Sequence, residues 1–587
     1  MALASRSIDS QPSPNNEPSP AGSRFQASSL TMGLLARAPS SPASDDMVFP
    51  VLDPTPEAMV TAFSPRTWRQ QLPVVRPLEL RDDLPAPNKL GATGPVDDDA
   101  YITIPAHHHT TTSSLFSLPA IKSLVGYYPP NLFYDIESSQ DLNTHLALDC
   151  DLASLLAEVD LAPDTTAGLI ANYFSNVHPK FPILDHGVFL ALFQRALPDG
   201  YSYDADLAIC LLVLALGVLV STEGNVGSHR CDDGMPYFRI AYRILTTQWA
   251  GSFSSRAQPT GLILAAIYFC FKAMPLAAWK MAYMASNNLQ LLAHDPSVDI
   301  NNNNADADML SRLCWTCFVI ECDSLSEFHL PRSGIEVAID RMYFPQLGGH
   351  NNRNALLFLA LCSIRRLLNR VHNAVYTSAN KNSSKSFIAP DIASAEPTDQ
   401  QAALAQLLSM AGVIDELQRQ LDAWYDSLPE LIKPDLSTTV PQDTQDAWLR
   451  IRYWSAKHII SRPSLVYAAR WADGTDLPDY VYRYAEMCIE SSRCYIETVI
   501  HTLNKRTHYS WMVVQACLSN SMLLATAAMS PPLQHLVPDI NSILMRLPHA
   551  LQPWALPDSS AEAIIVILQN LRHKIRLRPR SKNYTNS

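Results

Sequence analysis

The sequence predicts an all-α fold, in which a large helical domain follows a long disordered N-terminal segment. From about residue 147 onward, apolar residues recur three and four positions apart, the spacing of one face of an α-helix. Strand-like alternation is scarce over the same part of the chain. Apolar residues make up 47% of the 587 residues and charged residues 17%, so the chain can bury a large core. We therefore predict a disordered segment at 1–145, a helical domain at 146–574 and a basic tail at 575–587.

Residues 1–145 differ in composition from the rest of the chain. They contain 19 of the 43 prolines and are rich in Ser and Asp. We predict disorder here because proline breaks helices and strands alike, and because polar segments bury too little apolar surface to offset the entropy of ordering. Short apolar stretches such as SLFSLPAIKSLVGYY at 114–128 interrupt the segment. We interpret the tract of three histidines at 107–109 as an incidental run of polar residues.

The helical domain begins near residue 147, and its clearest helix is predicted at 398–427. There Leu407, Ile414, Leu417 and Leu421 lie on one face, and Pro429 follows the last turn. The other candidate helices lie at about 148–160, 166–175, 186–197, 204–220, 236–250, 257–272, 275–294, 306–329, 353–376, 443–471, 480–503, 509–529 and 558–574.

Two apolar stretches resemble membrane spans. The run LAICLLVLALGVLV at 207–220 is 14 residues long, whereas a span needs about 20. The run at 509–534 has no formal charge, but Gln515, Ser519 and Asn520 interrupt it. We predict that both form buried helices and that the protein does not partner a membrane.

Known catalytic and cofactor motifs are missing from the sequence. It has no glycine-rich phosphate-binding loop, no Gly-x-Ser-x-Gly elbow and no His-Glu-x-x-His pair. The closest spacing to a metal site is Cys314, Cys317 and Cys322, but no second Cys or His pair lies at zinc spacing, so we interpret these as buried core thiols. The sequence therefore predicts no catalytic residue, no cofactor and no metal ligand.

Two other classes of protein remain as alternatives. A helical enzyme such as a terpene cyclase needs an Asp-rich metal motif that faces a cavity, and the nearest candidate is Asp232-Asp233. A non-regulatory scaffold protein is the second alternative. Changes in a coherent set of transcripts on gene deletion would distinguish a regulator from both.

Five segments resemble, in order, the fungal-specific transcription factor domain, which is the middle homology region of zinc-cluster regulators. They are YFSNVHPKFPILDHGVFL (173–190), SRLCWTCFVIECDSLSEFHLPRSGI (311–335), LDAWYDSLP (421–429), RYWSAKHIISRPSLVY (452–467) and WMVVQACLSNSMLLATAA (511–528). The second resembles the family's signature helix with its Trp, acidic residue and Leu-Pro turn, and the fourth an aromatic-rich helix that ends in Arg-Pro. The motif residues that the resemblance marks as structural are Trp315, Glu321, Pro331, Trp424, Arg462 and Pro463.

The resemblance implies a nuclear transcriptional regulator of fungal type. Such proteins often control one pathway, for example a metabolic or secondary-metabolite gene cluster, and can form homo- or heterodimers. The family's DNA reader needs six cysteines around two zinc ions, whereas the first cysteine here is Cys150. Residues 1–149 are also acidic, with nine Lys plus Arg against sixteen Asp plus Glu. Direct DNA binding is thus in doubt, and either a zinc-cluster exon is missing or a DNA-binding co-regulator connects the chain to DNA and the transcription machinery.

A basic cluster near the C-terminus has the composition of a nuclear import signal or of a solvated tail. Its residues in the candidate signal are Lys574, Arg576, Arg578, Arg580 and Lys582. Weak, non-specific DNA contact is a third possibility, although the net charge of the chain is −12.

Glu321 is predicted to be buried and salt-bridged to an arginine. It lies on the same helical stripe as Cys314, Cys317 and Leu325, and a carboxylate on a buried face needs a partner. The candidate partners are Arg312, Arg332, Arg365 and Arg366.

Overall fold

The structure, a computed structural model, describes residues 103–105, 108–140, 146, 151–197, 202–221, 234–248, 255–294, 304–347, 352–376, 397–437, 440–441, 443–471 and 477–577. Within these ranges the chain forms 20 α-helices and two short 3₁₀ helices and contains no strand. The predicted all-α class is confirmed. Residues 1–102, most of the predicted disordered segment, lie outside the described residues.

The first ten helices are α1 (Thr112–Leu115), α2 (Pro119–Val125), α3 (Leu132–Ser138), α4 (Leu152–Ala157), α5 (Pro163–Asn176), α6 (His186–Ala196), α7 (Ala205–Ser221), α8 (Met235–Gln248), α9 (Ala257–Phe271) and α10 (Pro275–His294). The others are α11 (Ala305–Leu325), α12 (Ile335–Ile339), α13 (Arg353–Tyr376), α14 (Pro397–Ser409), α15 (Ala411–Asp426), α16 (Thr444–Ala468), α17 (Asp479–Thr502), α18 (Ser510–Met529), α19 (Ile540–Leu551) and α20 (Ser560–Leu577).

Two apolar clusters form the core. The first is built by helices α4 to α12, and the second by α1 to α3 together with α14 to α20. Helix α13 belongs to both, since Phe358 and Cys362 pack in the first cluster while Ile364 and Leu368 pack in the second. A helix with apolar residues on opposite faces can join two cores in this way.

Helix α7 is apolar on all sides and is almost completely buried in the first cluster. A helix with this composition must be covered all round, here by α5, α6, α8 and α9. Gly217 allows the close approach of α5, because a Cβ at this position would lie 2.2 Å from the carbonyl oxygen of Leu169. The prediction of a buried helix at 207–220 is confirmed.

Helix α18 is long and apolar enough to cross a membrane by length and composition. Most of it is buried in the second cluster, where it packs against α17, α19 and α20. The core helix of a globular protein has this same composition, so the predicted buried helix is also found here.

The structure differs from the prediction of disorder at 108–140. These residues form α1, α2 and α3 and pack into the second cluster through Leu115, Ile121, Leu124 and Phe133. The proline count overestimated disorder because Pro119 occupies the first turn of α2, where no backbone N–H is needed.

The C-terminal boundary also differs. Helix α20 continues to Leu577, past the predicted boundary at residue 574, because Ile575 still packs against the core. Lys574 and Arg576 therefore belong to the last turn of a helix, where positive charge is favoured by the helix dipole.

Pro463 lies inside α16, which continues to Ala468 as the helix predicted at 443–471 requires, and does not end at Arg-Pro as the resemblance implied. A proline cannot donate to the carbonyl four residues earlier, which here belongs to Ile459. The buried hydroxyl of Tyr376 donates to that oxygen instead, at 2.6 Å. A side chain from α13 thus replaces the hydrogen bond that the proline removes.

Tyr376→Phe is expected to lower the free energy of unfolding by about 1–3 kcal/mol, because it leaves the Ile459 carbonyl buried without a donor. In a Pro463→Ala background the restored N–H satisfies that oxygen, so the same Tyr376→Phe change should cost clearly less. Urea denaturation of the four proteins of this cycle measures the coupling. Equal costs in the two backgrounds would refute the replacement.

Candidate functional site

Charged side chains meet in the interior where α11, α13 and α16 converge. We define the central polar cluster as Asp323, Glu327, Arg365, Arg452 and Arg462. Asp323 and Glu327 come from α11 and the turn after it, Arg365 comes from α13, and both Arg452 and Arg462 come from α16. Four of these five residues lie on long helices, so the backbone holds their charged groups in fixed relative positions.

Asp323 is the acceptor at the centre of the cluster. Arg452 binds both of its carboxylate oxygens, one of them at 2.7 Å, and Arg365 binds the Oδ1 atom at 3.1 Å. Only 15% of the Asp323 side chain is exposed. Burial alone would raise the pKa of this carboxyl, but Arg452 and Arg365 outweigh it and hold the pKa below its ordinary value of 3.8. Asp323 is therefore an ionised, doubly paired carboxylate.

The N-terminal segment 108–115 closes one side of the cluster. Thr112 donates its backbone N–H to Glu327 at 2.9 Å, and Arg462 donates to the carbonyl oxygen of Thr110 at 2.9 Å. His108 is buried and hydrogen-bonded to the Leu325 carbonyl at 2.8 Å, and burial lowers its pKa to about 3. His108 is thus a neutral structural residue, which corrects its interpretation as part of an incidental tract.

A cavity of about 60 Å³ lies beside the cluster. Its polar lining includes Arg365, Arg452, Arg462, His372 and His458. The cavity has a partly polar lining and is large enough for several water molecules, since one water needs about 10–15 Å³. A second cavity, of about 40 Å³, is mainly apolar and is bounded in part by Asp323, Trp511 and Met512.

Glu321 is buried, as predicted, but the predicted arginine partner is wrong. Only 2% of the residue is exposed, and its carboxylate accepts the backbone N–H of Ser333 at 2.5 Å and the Ser333 hydroxyl at 2.7 Å. Burial raises the pKa of Glu321 to about 7. The carboxylate that pairs with arginines is Asp323, two residues later on another side of α11. Glu321 instead holds the turn that leads into α12.

The candidate partners of Glu321 have other contacts. Arg312 pairs with Asp308 and Asp185, and Arg365 pairs with Asp323. The Arg366 guanidinium lies 5.9 Å from the ring centre of Phe344. Arg332 is exposed and acts on Glu321 only as a nearby charge.

Glu321→Ala is expected to lower the free energy of unfolding by about 2–4 kcal/mol, because two hydrogen bonds to a carboxylate are lost. Glu321→Gln resembles the protonated acid and keeps an acceptor for Ser333, so it should cost under about 1 kcal/mol near pH 6. Since the fold raises this pKa above 4.5, the group stabilises the protein below pH 4.5 and loses that contribution as pH rises through 7. Denaturation from pH 5 to 8 should show a shallower decline for Glu321→Gln, and parallel curves would contradict the assignment.

The other residues predicted as a structural motif occupy distinct places. Trp315 is completely buried and stacks on Phe344 at 4.6 Å between ring centres. Trp424 is half-buried and donates its indole N–H to the Ser363 hydroxyl at 2.9 Å. Pro331 is exposed, in the turn before α12. Only Arg462 of the predicted motif residues belongs to the central polar cluster.

Cys314, Cys317 and Cys322 are buried, as predicted. Burial raises the pKa of Cys314 and of Cys322 to about 12 and that of Cys317 well above its ordinary value, so all three are protonated thiols. Across the described ranges, no group of three His, Cys, Asp or Glu side chains has the arrangement of a metal site. Asp232 and Asp233 lie outside those ranges.

A comparison with protein families bears on the alternatives left by the sequence. The family model described as the fungal specific transcription factor domain matches residues 170–426. Residues 170–426 are thus similar to a fungal specific transcription factor domain. No curated protein matches the chain.

The fungal specific transcription factor domain is a domain of transcription regulators and not of an enzyme family. The matched region extends from α5 to the end of α15, so it includes most of the first apolar cluster, α13 and two members of the central polar cluster, Asp323 and Arg365. Arg452 and Arg462 lie beyond it on α16. The central polar cluster therefore joins the matched domain to the helices that follow it.

Sequence reasoning missed Asp323 and Arg452. Both residues are charged, and a sequence pattern places charged residues on the surface by default. They pair although they lie 129 positions apart in the sequence. The available signal was the density of arginines on α16, where Arg450, Arg452 and Arg462 all lie among apolar residues. Buried arginines need acceptors, and Asp323 is one.

Proposed function

We propose that this protein is a nuclear, pathway-specific transcriptional regulator, for example of a metabolic or secondary-metabolite gene cluster. The observation that carries the proposal is the match of residues 170–426 to the fungal specific transcription factor domain. Members of a regulator family act on gene expression, and a nuclear role follows from that in general. Which pathway the protein controls is a further part of the proposal.

The proposed partner is a DNA-binding co-regulator that brings the chain to promoters. No cysteine precedes Cys150, so the 149 residues before it cannot build the six-cysteine zinc cluster. Those residues are acidic, which disfavours contact with phosphates. A partner with a zinc cluster would read DNA, while this chain would contact the transcription machinery as a homo- or heterodimer.

Gene deletion followed by transcript sequencing tests the proposal. We expect a coherent set of transcripts, enriched in the genes of one pathway, to change in the deletion strain and to return on re-expression of the full chain. Re-expression of Asp323→Asn, which removes the charge at the centre of the cluster and is expected to destabilise the fold, should restore those transcripts less completely than re-expression of the parent chain. A deletion strain with unchanged transcripts would favour the scaffold alternative.

A second test fuses the full chain to an unrelated DNA-binding domain and measures a reporter gene. The chain should raise or lower reporter output relative to the DNA-binding domain alone. This experiment does not require the natural partner, so it separates a failed partner assignment from a failed regulatory function.

Nuclear accumulation is predicted to depend on the C-terminal basic cluster. Lys574 and Arg576 are exposed on the last turn of α20, and Arg578, Arg580 and Lys582 lie outside the described residues. The quadruple change of Arg576, Arg578, Arg580 and Lys582 to Ala should shift a fluorescently tagged protein from nucleus to cytoplasm. An equal number of substitutions at the exposed polar residues Gln401, Glu416, Arg419 and Asp422 serves as the control. Unchanged localisation of the quadruple variant would contradict the assignment of this basic cluster as a nuclear import signal.

A further inference from the structure

The cavity beside the central polar cluster is lined by three arginines from two helices. Arg452, Ser455 and Arg462 are spaced by three and seven residues on α16, so helical geometry places them along one side, and all three line the cavity. Arg365 lines it from α13. Three guanidinium groups around about 60 Å³ are an unusual concentration of buried positive charge.

The carboxylates nearby do not balance this charge. Asp323 is shared by Arg452 and Arg365. Glu327 also lines the cavity, but burial raises its pKa to about 7, so near neutral pH this group is only partly ionised, and it accepts hydrogen bonds from Thr112. Three permanent positive charges thus face one full negative charge and one partial one.

Arg462 is the group least compensated. It is 2% exposed, and among the described residues no carboxylate lies within 4.0 Å of it. Its hydrogen-bond acceptors are neutral, namely the carbonyl of Thr110 at 2.9 Å and the hydroxyl of Ser519 at 3.4 Å. An arginine stays charged in a protein, so a buried one without a counter-charge is costly unless an anion binds it.

Residues that line this cavity also carry unused nitrogen atoms. The Nε of Arg462, the Nη2 of Arg365 and the Nε2 of His458 are buried and have no hydrogen-bond partner in the part of the chain that the structure describes. Burial keeps the pKa of His458 well below 6.5, so its ring is neutral and one nitrogen can donate. Arginine N–H groups bind carboxylate and phosphate oxygens through strong, charge-assisted hydrogen bonds.

We propose that this cavity is a binding site for a small oxyanion, a carboxylate or a phosphate, held by Arg462, Arg365 and His458. The cavity size fits a compact ion, since the volume equals that of roughly four to six water positions. The ion would join α13 to α16. An effector role for the ion rests on the proposed regulatory function, whereas its binding does not.

Calorimetric titration of the purified full chain tests the binding. The probes are inorganic phosphate, acetate and malonate, each added at constant ionic strength with chloride as the balancing anion. We expect saturable binding of phosphate or of a carboxylate, with at least a tenfold preference over chloride. The phosphate and carboxylate arms distinguish the two sources of the oxyanion. Absence of saturable binding by all three probes would overturn the proposal.

Ser455 provides a variant that leaves every arginine in place. Ser455→Asp introduces a carboxylate into the cavity lining, so it should weaken binding of the preferred probe by at least about tenfold. It should also raise the melting temperature of the ion-free protein, because the new carboxylate compensates the arginines. Ser455→Ala is the matched control and should bind like the parent. Equal affinities for the Asp and Ala variants would show that any bound ion lies elsewhere.

Reporter output with the fused chain tests the effector role separately. Ser455→Asp mimics the occupied site, so its reporter output should stay constant when the supply of the preferred anion changes, whereas that of Ser455→Ala should respond. Binding of the anion without this difference in reporter output would overturn the effector role but not the binding site itself. Constant output from every chain, including the parent, would count against the proposed regulatory function instead.

Discussion

Asp323→Asn is expected to lower the free energy of unfolding by about 3–5 kcal/mol, the usual cost of removing one partner of a buried ion pair. The substitution keeps the size of the side chain but removes the carboxylate that binds both Arg452 and Arg365. Two mostly buried guanidinium groups then remain without a compensating charge. Urea denaturation followed by circular dichroism measures the loss, and loss of soluble expression would agree with it.

The control is Glu416→Gln, which removes a carboxylate from an exposed pair with Arg419 on α15. Exposed pairs stabilise proteins by about 0–1 kcal/mol, so this variant should unfold almost like the parent. If Asp323→Asn were equally mild, the central polar cluster would not hold the helices together.

The pH dependence of stability provides a second reading of Asp323. Its pKa lies below 3.8 in the folded protein, so its contribution is present above pH 3.8 and is lost as pH falls through the folded pKa. Asp323→Asn should therefore show a shallower loss of stability below pH 4 than the parent, provided that enough folded variant remains to be measured.

Trp315→Ala is expected to cost about 3–5 kcal/mol, because a completely buried indole leaves a large cavity. The ring packs edge-on to Phe318 at 5.5 Å and stacks on Phe344 at 4.6 Å between ring centres. Trp315→Phe keeps an aromatic ring at this position and should cost only about 1–2 kcal/mol. Thermal and urea unfolding of both variants are the measurements.

Trp424 offers a comparison within the same chain. It is half-buried against the second cluster, so Trp424→Ala should be clearly milder than Trp315→Ala. The reverse order would mean that Trp315 is not a main packing element of the first apolar cluster.

The all-α class could be predicted from the periodicity of apolar residues, because burial of one face of each helix imposes that spacing over long segments. The stripe of Leu407, Ile414, Leu417 and Leu421 is buried as predicted. The same stripe concealed the break at Met410 between α14 and α15, since the buried face continues across it. Periodicity shows which face of a helix is buried, but it does not show where the helix is interrupted.

The N-terminal helices and the prolines show where composition is misleading. Pro119 begins a helix although prolines in this segment were interpreted as a sign of disorder, and Pro463 lies within a helix although the resemblance implied that the helix ends there. At Pro119 the missing N–H is harmless, and at Pro463 the Tyr376 hydroxyl compensates for it. The second compensation comes from another helix, so it cannot be read from the local sequence.

The choice between Glu321 and Asp323 shows the limit for the site. Helical geometry correctly placed Glu321 on a buried face. Its partner depended on the turn at Ser333, and the arginines from α13 and α16 reached Asp323 instead. Which carboxylate the arginines reach depends on the rotation and spacing of the three helices relative to one another. A single sequence does not contain that information directly.

Chromatin immunoprecipitation of the tagged full chain tests the proposed regulatory role most directly. It should be performed in cells with and without a candidate zinc-cluster partner and compared with the transcripts that change on deletion of the gene. The proposed function predicts enrichment of the chain at promoters of those transcripts and loss of that enrichment when the partner is absent. Two results together would contradict a role in transcription: a chain enriched at no promoter in either strain, and deletion of the gene without any change in transcripts.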